Sequence, residues 1–449
     1  MRHLFYSAGT LLLLVLAFSF RPSSPQKVCF ACEQLTGLEK VVCLAEDFKA
    51  SLTSTQLSAA QLDHTFANAK KWSNLPVTLA PRIGVRFGDL SAAQLAKAKT
   101  LIEASMGTGA NEGYKEMQQL WAADKYLSQN GGGATYGDGQ YFLAFLGTPS
   151  TTGSWELQTG GHHLAVANTY GGGQMKGATP SFRAVEPFAA FTIDGGTYQP
   201  IVQERDALAA MLASLSTAQL AAAKLSTTYN DIVLGPNSDW AFPSTKSGLR
   251  ANQLSTAQKE LITKAILTYV GDIDSANASA YMAIYTAQLD DTYIAYANNA
   301  TLSQKGDYVR IDGPRVWIEY SVQNGIILTP THPHSVWRDH QSDYGGLGNP
   351  SATHAPQRFE GVFEVSPNPV SEQTQVKIEL DQPAVIRVQV LDGAGHLVPT
   401  GFRYNMTAGT HILPLVLSGL PAGLYTCTLE VSHADGSSVA TASRQMSKI

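Results

Sequence analysis

The apolar positions of this chain change rhythm several times, and each change marks a different kind of element. Around Cys43 they fall at helical spacing, as in Val42, Leu44, Phe48 and Leu52, and the pattern runs on to about Lys71. Four points share the form Leu-Ser/Thr-x-x-Gln: Leu52-Thr53-x-x-Gln56, Leu90-Ser91-x-x-Gln94, Leu215-Ser216-x-x-Gln219 and Leu254-Ser255-x-x-Gln258. In each, the hydroxyl can accept a hydrogen bond from the N3 amide while Gln reaches back to the cap amide, and the leading Leu acts as a hydrophobic staple. Four capping boxes predict four helix starts. A repeated binding motif is the weaker reading, because every copy leads into an Ala/Leu/Lys pattern that a helix already explains.

Between the second and third boxes the texture is different. Tyr141–Leu146, Trp155–Gln158, His163–Ala167 and Ala189–Ile193 are short apolar or alternating runs separated by Gly clusters and Thr-Pro pairs, which predicts strands. The Gly131–Gly133 and Gly171–Gly173 runs read as hairpin loops. A later strand pair, Tyr308–Ile311 and Arg315–Tyr320, is joined by the turn signal Asp312-Gly313-Pro314. The order helices, strands, helices, strands predicts an α+β fold, with helices packed on an antiparallel or mixed sheet, rather than a doubly wound one. Near Pro350–Gly361 the composition shifts to Pro, Ala, Ser, His and Gln, as in a linker. Beyond it Val376–Leu380, Val385–Leu391 and Leu424–Val431 alternate polar and apolar residues, which predicts a small all-β sandwich. The plan is a signal peptide at 1–26, an α+β functional domain at 27–349, a linker at 350–362 and the sandwich at 363–449.

Composition narrows the possible roles. A net charge of −5 over 449 residues gives no basic stripe, so nucleic acid is excluded as a partner. Arg2 and His3, the apolar run Leu11–Phe20 and the Pro-rich segment Arg21–Gln26 read as a signal peptide too short to remain as an anchor. The mature chain is therefore expected to be secreted or held at the cell surface, with no transmembrane anchor. In an exported chain the four cysteines favour a disulfide from Cys29 or Cys32 to Cys43, with Cys427 a buried free thiol on a strand.

Candidate chemistry gathers in two polar knots, Gly160-Gly161-His162-His163 and the stretch Thr331–Gly346, which holds His332, His334, Arg338, Asp339 and Asp343. On a strand, His332 and His334 share a face and can offer two nitrogens to one metal ion. Adjacent His162 and His163 would face opposite sides unless the preceding glycines distort the backbone. One of them joining the pair gives three nitrogens, the open-site count of catalytic zinc, which also suits copper or iron. Glu186 or Asp343 is a candidate general base, Arg338 a candidate anion clamp, and Asp339 and Asp343 are candidate carboxylates for orienting imidazoles.

Two resemblances join this reading. Val365-Ser-Pro-Asn-Pro369, the strand ending in Asp392-Gly-Ala-Gly395, the stretch Leu417–Tyr425 and the basic end near Arg444 and Lys448 resemble the C-terminal sorting domain of the type IX secretion system. That implies a cargo protein of a Bacteroidetes-type bacterium whose tail is an address label recognised by the secretion machinery. Trp155, Gly161-His-His-Leu164, Thr179-Pro-Ser-Phe182, Glu186-Pro187, Tyr308-x-Arg310-Ile-x-Gly313-Pro314, Ile318-Glu-Tyr320, His332-x-His334-Ser-Val-Trp-Arg-Asp339 and Asp343-Tyr-Gly345 are similar to the domain-of-unknown-function 3500 family. The sequence departs from that pattern at Gly160, where the family usually has Asp, and at His340, where it has Pro. The resulting expectation is a metal-dependent hydrolase or oxidoreductase acting on an unknown small-molecule or polymer substrate. The alternatives are a non-catalytic surface binding module and a metal-free hydrolase using Glu186, Glu319 or a serine.

Overall fold

The computed structural model describes residues 32–349, 357–359, 361–393, 396–432 and 438–449, and the sequence-predicted signal peptide lies outside them. The chain forms two compact units, Met1–Asp339 and His340–Ile449. All four capping boxes form as the sequence predicts, with Thr53, Ser91, Ser216 and Ser255 each accepting from the N3 amide and the Gln side chain returning to the cap. They open α2 (Ser54–Ala60), α3 (Ala92–Ala104), α6 (Thr217–Ala223) and α7 (Thr256–Val270). The other main helices are α1 (Gly37–Ala50), α4 (Tyr114–Leu127), α5 (Val202–Ala213) and α8 (Ser275–Ala287). Among the described residues no helix is long and apolar enough to cross a membrane.

The central sheet is built on β1 (Phe142–Leu146), β2 (Trp155–Gly161), β3 (Leu164–Gly171), β4 (Ser181–Ala184), β5 (Tyr293–Ala297), β6 (Tyr308–Asp312), β7 (Val316–Asn324) and β8 (Thr331–Asp339). Their order is β1-β2-β3-β4-β8-β7-β6-β5, all antiparallel, while the short strand Gln61–Leu62 adds a parallel edge beside β1. This is the α+β architecture with a mixed sheet that the sequence order implies.

That strand order is a palindrome, and the helices obey it too. In the first half α1 packs on α3, and in the second α5 packs on α7. Val85–Arg86 pairs with β1 as Leu249–Arg250 pairs with β5. The capping boxes dock in matched pairs. Gln94 Nε2 donates to Gln56 Oε1 at 3.0 Å and to the Ser51 carbonyl at 2.7 Å; Gln258 Nε2 donates to Gln219 Oε1 at 2.9 Å and to the Ser214 carbonyl at 2.9 Å. Gly84 (φ 102°) and Gly248 (φ 108°) occupy matching positions, each with its Cα against a carbonyl of the neighbouring strand. The first unit thus has the plan of an internal duplication, its two halves meeting where β4 pairs with β8. The four boxes share a sequence because they mark two copies of one supersecondary unit.

One face of the sheet carries the helices. Ser335 and Trp337 of β8 bond Tyr269 of α7 and Tyr285 of α8, and Arg183 of β4 reaches Glu116 of α4 at 2.5 Å and Asp272 at 2.6 Å. The opposite face is covered by two matching irregular connections, 63–84 and 225–248. Trp72 of the first packs on Phe182 and under the Arg338 guanidinium. Tyr229 of the second stacks on Tyr308 at 3.9 Å. Glu319 accepts from Val233 N–H, Leu234 N–H, Tyr308 Oη and Trp317 Nε1, so its buried carboxylate ties the second connection to the sheet. A buried carboxylate with this many donors has no lone pair left for substrate chemistry.

Outside the sheet, a disulfide joins Cys32 to Cys43, and Cys427 is a buried free thiol, as the sequence predicts. The Gly131–Gly133 run differs from the expectation of a hairpin loop: it ends α4 as a π turn (Ser128–Gly132) followed by a 3-10 turn (Gly133–Thr135), because a helix and not a strand precedes it. In the second unit, strands between Gln357 and Lys448 form a five-stranded and a three-stranded sheet around a core that includes Val376, Ile378, Ile386, Val388, Cys427 and Leu429. Within the stretch read as a linker, Gln357–Arg358 forms a short strand parallel to Ser438–Lys448; residues 350–356 lie outside the described residues.

Candidate metal centre

The connection between β2 and β3 is only two residues long, which places His162 and His163 in a hairpin turn. His163 takes φ 61°, in the left-handed region. This removes the strand alternation that would send adjacent side chains to opposite faces. Both imidazoles are buried and stack with centroids 3.5 Å apart. Tyr141 Oη donates to the His162 carbonyl at 2.9 Å, and Ala184 N–H donates to the His163 carbonyl at 2.9 Å, so neighbours on both sides fix the turn.

His332 and His334 come from β8, two residues apart and therefore on one face, the face away from the helices. Ala184 of β4 lies opposite His334, which brings the turn and the strand together. His163 Nε2 lies 2.7 Å from His332 Nε2, which lies 3.0 Å from His334 Nε2. Among the described residues these three form the group whose ligand atoms all fall within 4.8 Å of one another, and it could hold a metal ion. Burial, reinforced by the surrounding imidazoles, holds His163 and His332 well below the ordinary histidine pKa, so both are neutral at pH 7.

The outer nitrogens meet carboxylates. Asp231 Oδ1 is 2.8 Å and Gln323 Nε2 3.0 Å from His334 Nδ1; with the Nδ1 proton given to Asp231, the Nε2 lone pair faces the other two rings. Glu186 Oε2 is 3.8 Å from His332 Nδ1, while its Oε1 accepts the N–H groups of Ile327 and Leu328. Asp124 Oδ1 lies 2.5 Å from His162 Nδ1 and its Oδ2 accepts Gly137 N–H at 2.7 Å. The Tyr136 ring stands edge-on to His162 at 4.8 Å.

The three converging nitrogens fit a metal ion better than they fit one another. With the His334 proton on Nδ1, neutral rings supply too few N–H groups for every close Nε2 pair to be a hydrogen bond. Three imidazole nitrogens with carboxylates behind them are the donor set of a transition-metal site, and three protein ligands leave a coordination position open.

Residues 35–346 match the family model described as a protein of unknown function, DUF3500. The chain belongs to the DUF3500 family. No curated protein matches the chain. The matched region contains both histidine segments, so the centre lies within the part of the chain that defines DUF3500 membership. The family description carries no activity, and any function has to be argued from the site.

The structure distributes the remaining predicted site residues differently. Of the candidate ligands, His332 and His334 are joined by one member of the His162–His163 pair, His163, and His162 stands beside them, bound to Asp124 and outside the group. Glu186 faces His332 but is anchored by two backbone amides. Arg338 shares the face of His332 and His334 and is fully buried, with Nη1 donating to the Leu234 carbonyl at 3.2 Å and Nη2 to Asp239 at 3.1 Å. Asp339 points to the helix face, where Tyr285 Oη donates to it at 2.8 Å and Arg315 Nη2 at 3.0 Å; strand alternation alone separates it from the imidazoles. Asp343 belongs to the second unit, ahead of the 3-10 turn Tyr344–Gly346. Sequence reasoning missed Asp124 and Asp231, which lie in a helix and in an irregular connection with no local pattern to single them out.

Proposed function

We propose that the first unit is a metal-dependent enzyme, a hydrolase or an oxidoreductase, whose ion is held by His163, His332 and His334. The observation that carries this reading is the convergence of three Nε2 atoms, with Nε2 spacings of 2.7 Å and 3.0 Å along the chain of contacts. A bound zinc, copper or iron ion would supply Lewis acidity, and copper or iron would add one-electron chemistry. The protein's own part is positioning. Asp231 holds the outer side of His334, Glu186 stands 3.8 Å from the outer nitrogen of His332, and the turn geometry at His163 places the third ring. His162, paired with Asp124, and Tyr136 pack beside them. An open coordination position favours a catalytic ion over a purely structural one, because structural zinc sites are closed by four protein ligands.

We also read the chain as exported. The apolar run Leu11–Phe20 and the Cys32–Cys43 disulfide suit passage into an oxidising compartment. The β-rich second unit, with the motifs at Val365–Pro369 and Leu417–Tyr425, serves in this reading as a type IX secretion address, leaving the protein secreted or on the cell surface. The deciding experiment for the enzyme is elemental analysis of protein prepared without a histidine tag, together with thermal unfolding before and after chelation. About one zinc, copper or iron per chain and a lower melting temperature on chelation are expected. No stoichiometric metal, combined with an unchanged melting temperature, would sink the proposal.

A further inference from the structure

On the helix face of the sheet, four carboxyl groups share one guanidinium. Arg183 of β4 stands 2.5 Å from Glu116 Oε2 through Nε and 2.6 Å from Asp272 Oδ2 through Nη2. Glu204 of α5 and the half-buried Glu112, just ahead of α4, stand against the same two acids. Glu116, Glu204 and Asp272 are no more than 1% exposed, and Arg183 is 3% exposed. Among the described residues no other cation is ion-paired with these carboxyls. If all four were ionised, three negative charges would be left in the interior without a counterion, so the group must hold protons.

The local bonding agrees with shared protons. Oε2 of Glu204 and Oε2 of Glu112 are buried and receive no N–H or O–H donor. Glu116 and Glu204 hydrogen-bond each other, which two carboxyls do only when at least one of them is protonated. Burial, reinforced by the neighbouring carboxylates, pushes both above the ordinary carboxyl range. The oxygens do not converge as metal ligands do, since among the described residues the histidine trio is the group that could hold an ion. Tyr269 of α7 and Tyr320 of β7 also face the cluster; burial holds both well above the ordinary tyrosine value, so they stay neutral. Arg205, next to Glu204, is paired with Asp206 at 2.5 Å.

The cluster also ties the two halves of the unit together. Asp272, in the turn after α7, accepts Gly113 N–H at 2.6 Å and so holds the start of α4. Glu116, on α4, accepts Ile201 N–H at 3.1 Å and so holds the start of α5. Gly107 N–H donates to the Asp272 carbonyl at 2.7 Å. Arg183 anchors these contacts to β4, where the halves meet. We propose that Glu112, Glu116, Glu204, Asp272 and Arg183 form a proton-held latch between the two halves, closed while the carboxyls keep their protons and opened as pH rises. The latch stands apart from the metal reading and does not depend on it.

On opening, each carboxyl meets water, returns to its ordinary value of 4.5 for glutamate and releases its proton to solvent. Above that value the open state therefore binds fewer protons than the closed one, and opening gains about tenfold per pH unit for each proton released. Native-state hydrogen exchange of the full chain at pH 5, 6 and 7, corrected for intrinsic exchange, reads this at the Gly113 and Ile201 amides. Protection at both is expected to fall by about tenfold or more per pH unit. Glu204→Gln keeps the shape but has no proton to release, so its protection should fall less steeply by about tenfold per unit. Protection that stays level with pH in the natural chain overturns the proposal, as does an equal slope in the variant. Should Glu204→Gln not fold, Glu112→Gln at the less buried edge of the cluster gives the same reading. The infrared difference at pH 7 between the natural chain and the folded variant should contain the C=O stretch of a protonated carboxyl; carboxylate bands alone overturn the latch.

Discussion

Replacing Asp231 by Asn isolates the contribution of a carboxylate that touches a ligand but not an ion. Its Oδ1 lies 2.8 Å from His334 Nδ1 and its side chain is 42% exposed, so the neutral isostere preserves shape and costs the metal-free fold less than about 0.5 kcal/mol. Across one imidazole, the carboxylate sits roughly 6–7 Å from the point where the Nε2 atoms converge. At an effective dielectric of about 40, each unit of charge there interacts with it by roughly 1.3 kcal/mol. A divalent ion would therefore lose about 2.6 kcal/mol of binding, a roughly 50- to 100-fold weaker Kd, within the range found when carboxylates behind metal-bound histidines are removed. Competition against a chromophoric chelator measures the affinity, and urea unfolding of the metal-free protein measures the fold. An affinity unchanged within twofold would refute the reasoning, as would a comparable loss of stability in the metal-free protein, which would make Asp231 a fold residue.

Further outcomes follow from other parts of the structure. Burial lifts the Glu156 carboxyl from 4.5 to about 8, with bonds from Thr169 and Gln158 opposing the shift. Between those values the folded chain keeps a proton that the unfolded chain has released, so stability falls as pH rises, by about 1.4 kcal/mol per pH unit from this group. Glu156→Gln should flatten the urea-midpoint profile over that window, and an unchanged slope would count against it. Arg183→Met leaves Glu116, Asp272 and Glu204 without their shared cation and should cost about 3–5 kcal/mol in chemical unfolding. Gly84→Ala and Gly248→Ala should destabilise by similar amounts, because each new Cβ collides with a carbonyl oxygen at a matching place in the two halves; an effect in one half alone contradicts the duplication. Reducing Cys32–Cys43 opens a short loop and should cost about 3 kcal/mol in thermal unfolding.

Much of the fold was legible before any coordinates. Capping boxes are readable because their chemistry is local: Thr53 and Gln56 need only be three residues apart and unobstructed to satisfy each other. The His332–His334 pairing is readable for the same reason, since strand geometry fixes the facing of residues two apart. The duplication was less legible. Its four boxes were visible, but that they pair as Gln56 with Gln94 and Gln219 with Gln258 depends on helices meeting across some 40 residues.

The sequence by itself determined the element types, the division into an α+β part and a β part, and the residue types able to bind a metal. These follow from short-range periodicity and backbone chemistry, which a linear chain carries in full. The tertiary structure alone decided which neighbours reach the histidines. It turned His163 into the left-handed region so that it meets His332, gave His162 to Asp124, and brought Asp231 to His334 across 103 residues. It also placed Asp339 on the helix face and tied Arg338 to Leu234 and Asp239. The physical reason is that a site is defined by where side chains end, and for residues on different elements that is set by sheet register, turn conformation and the packing of the connections over one face.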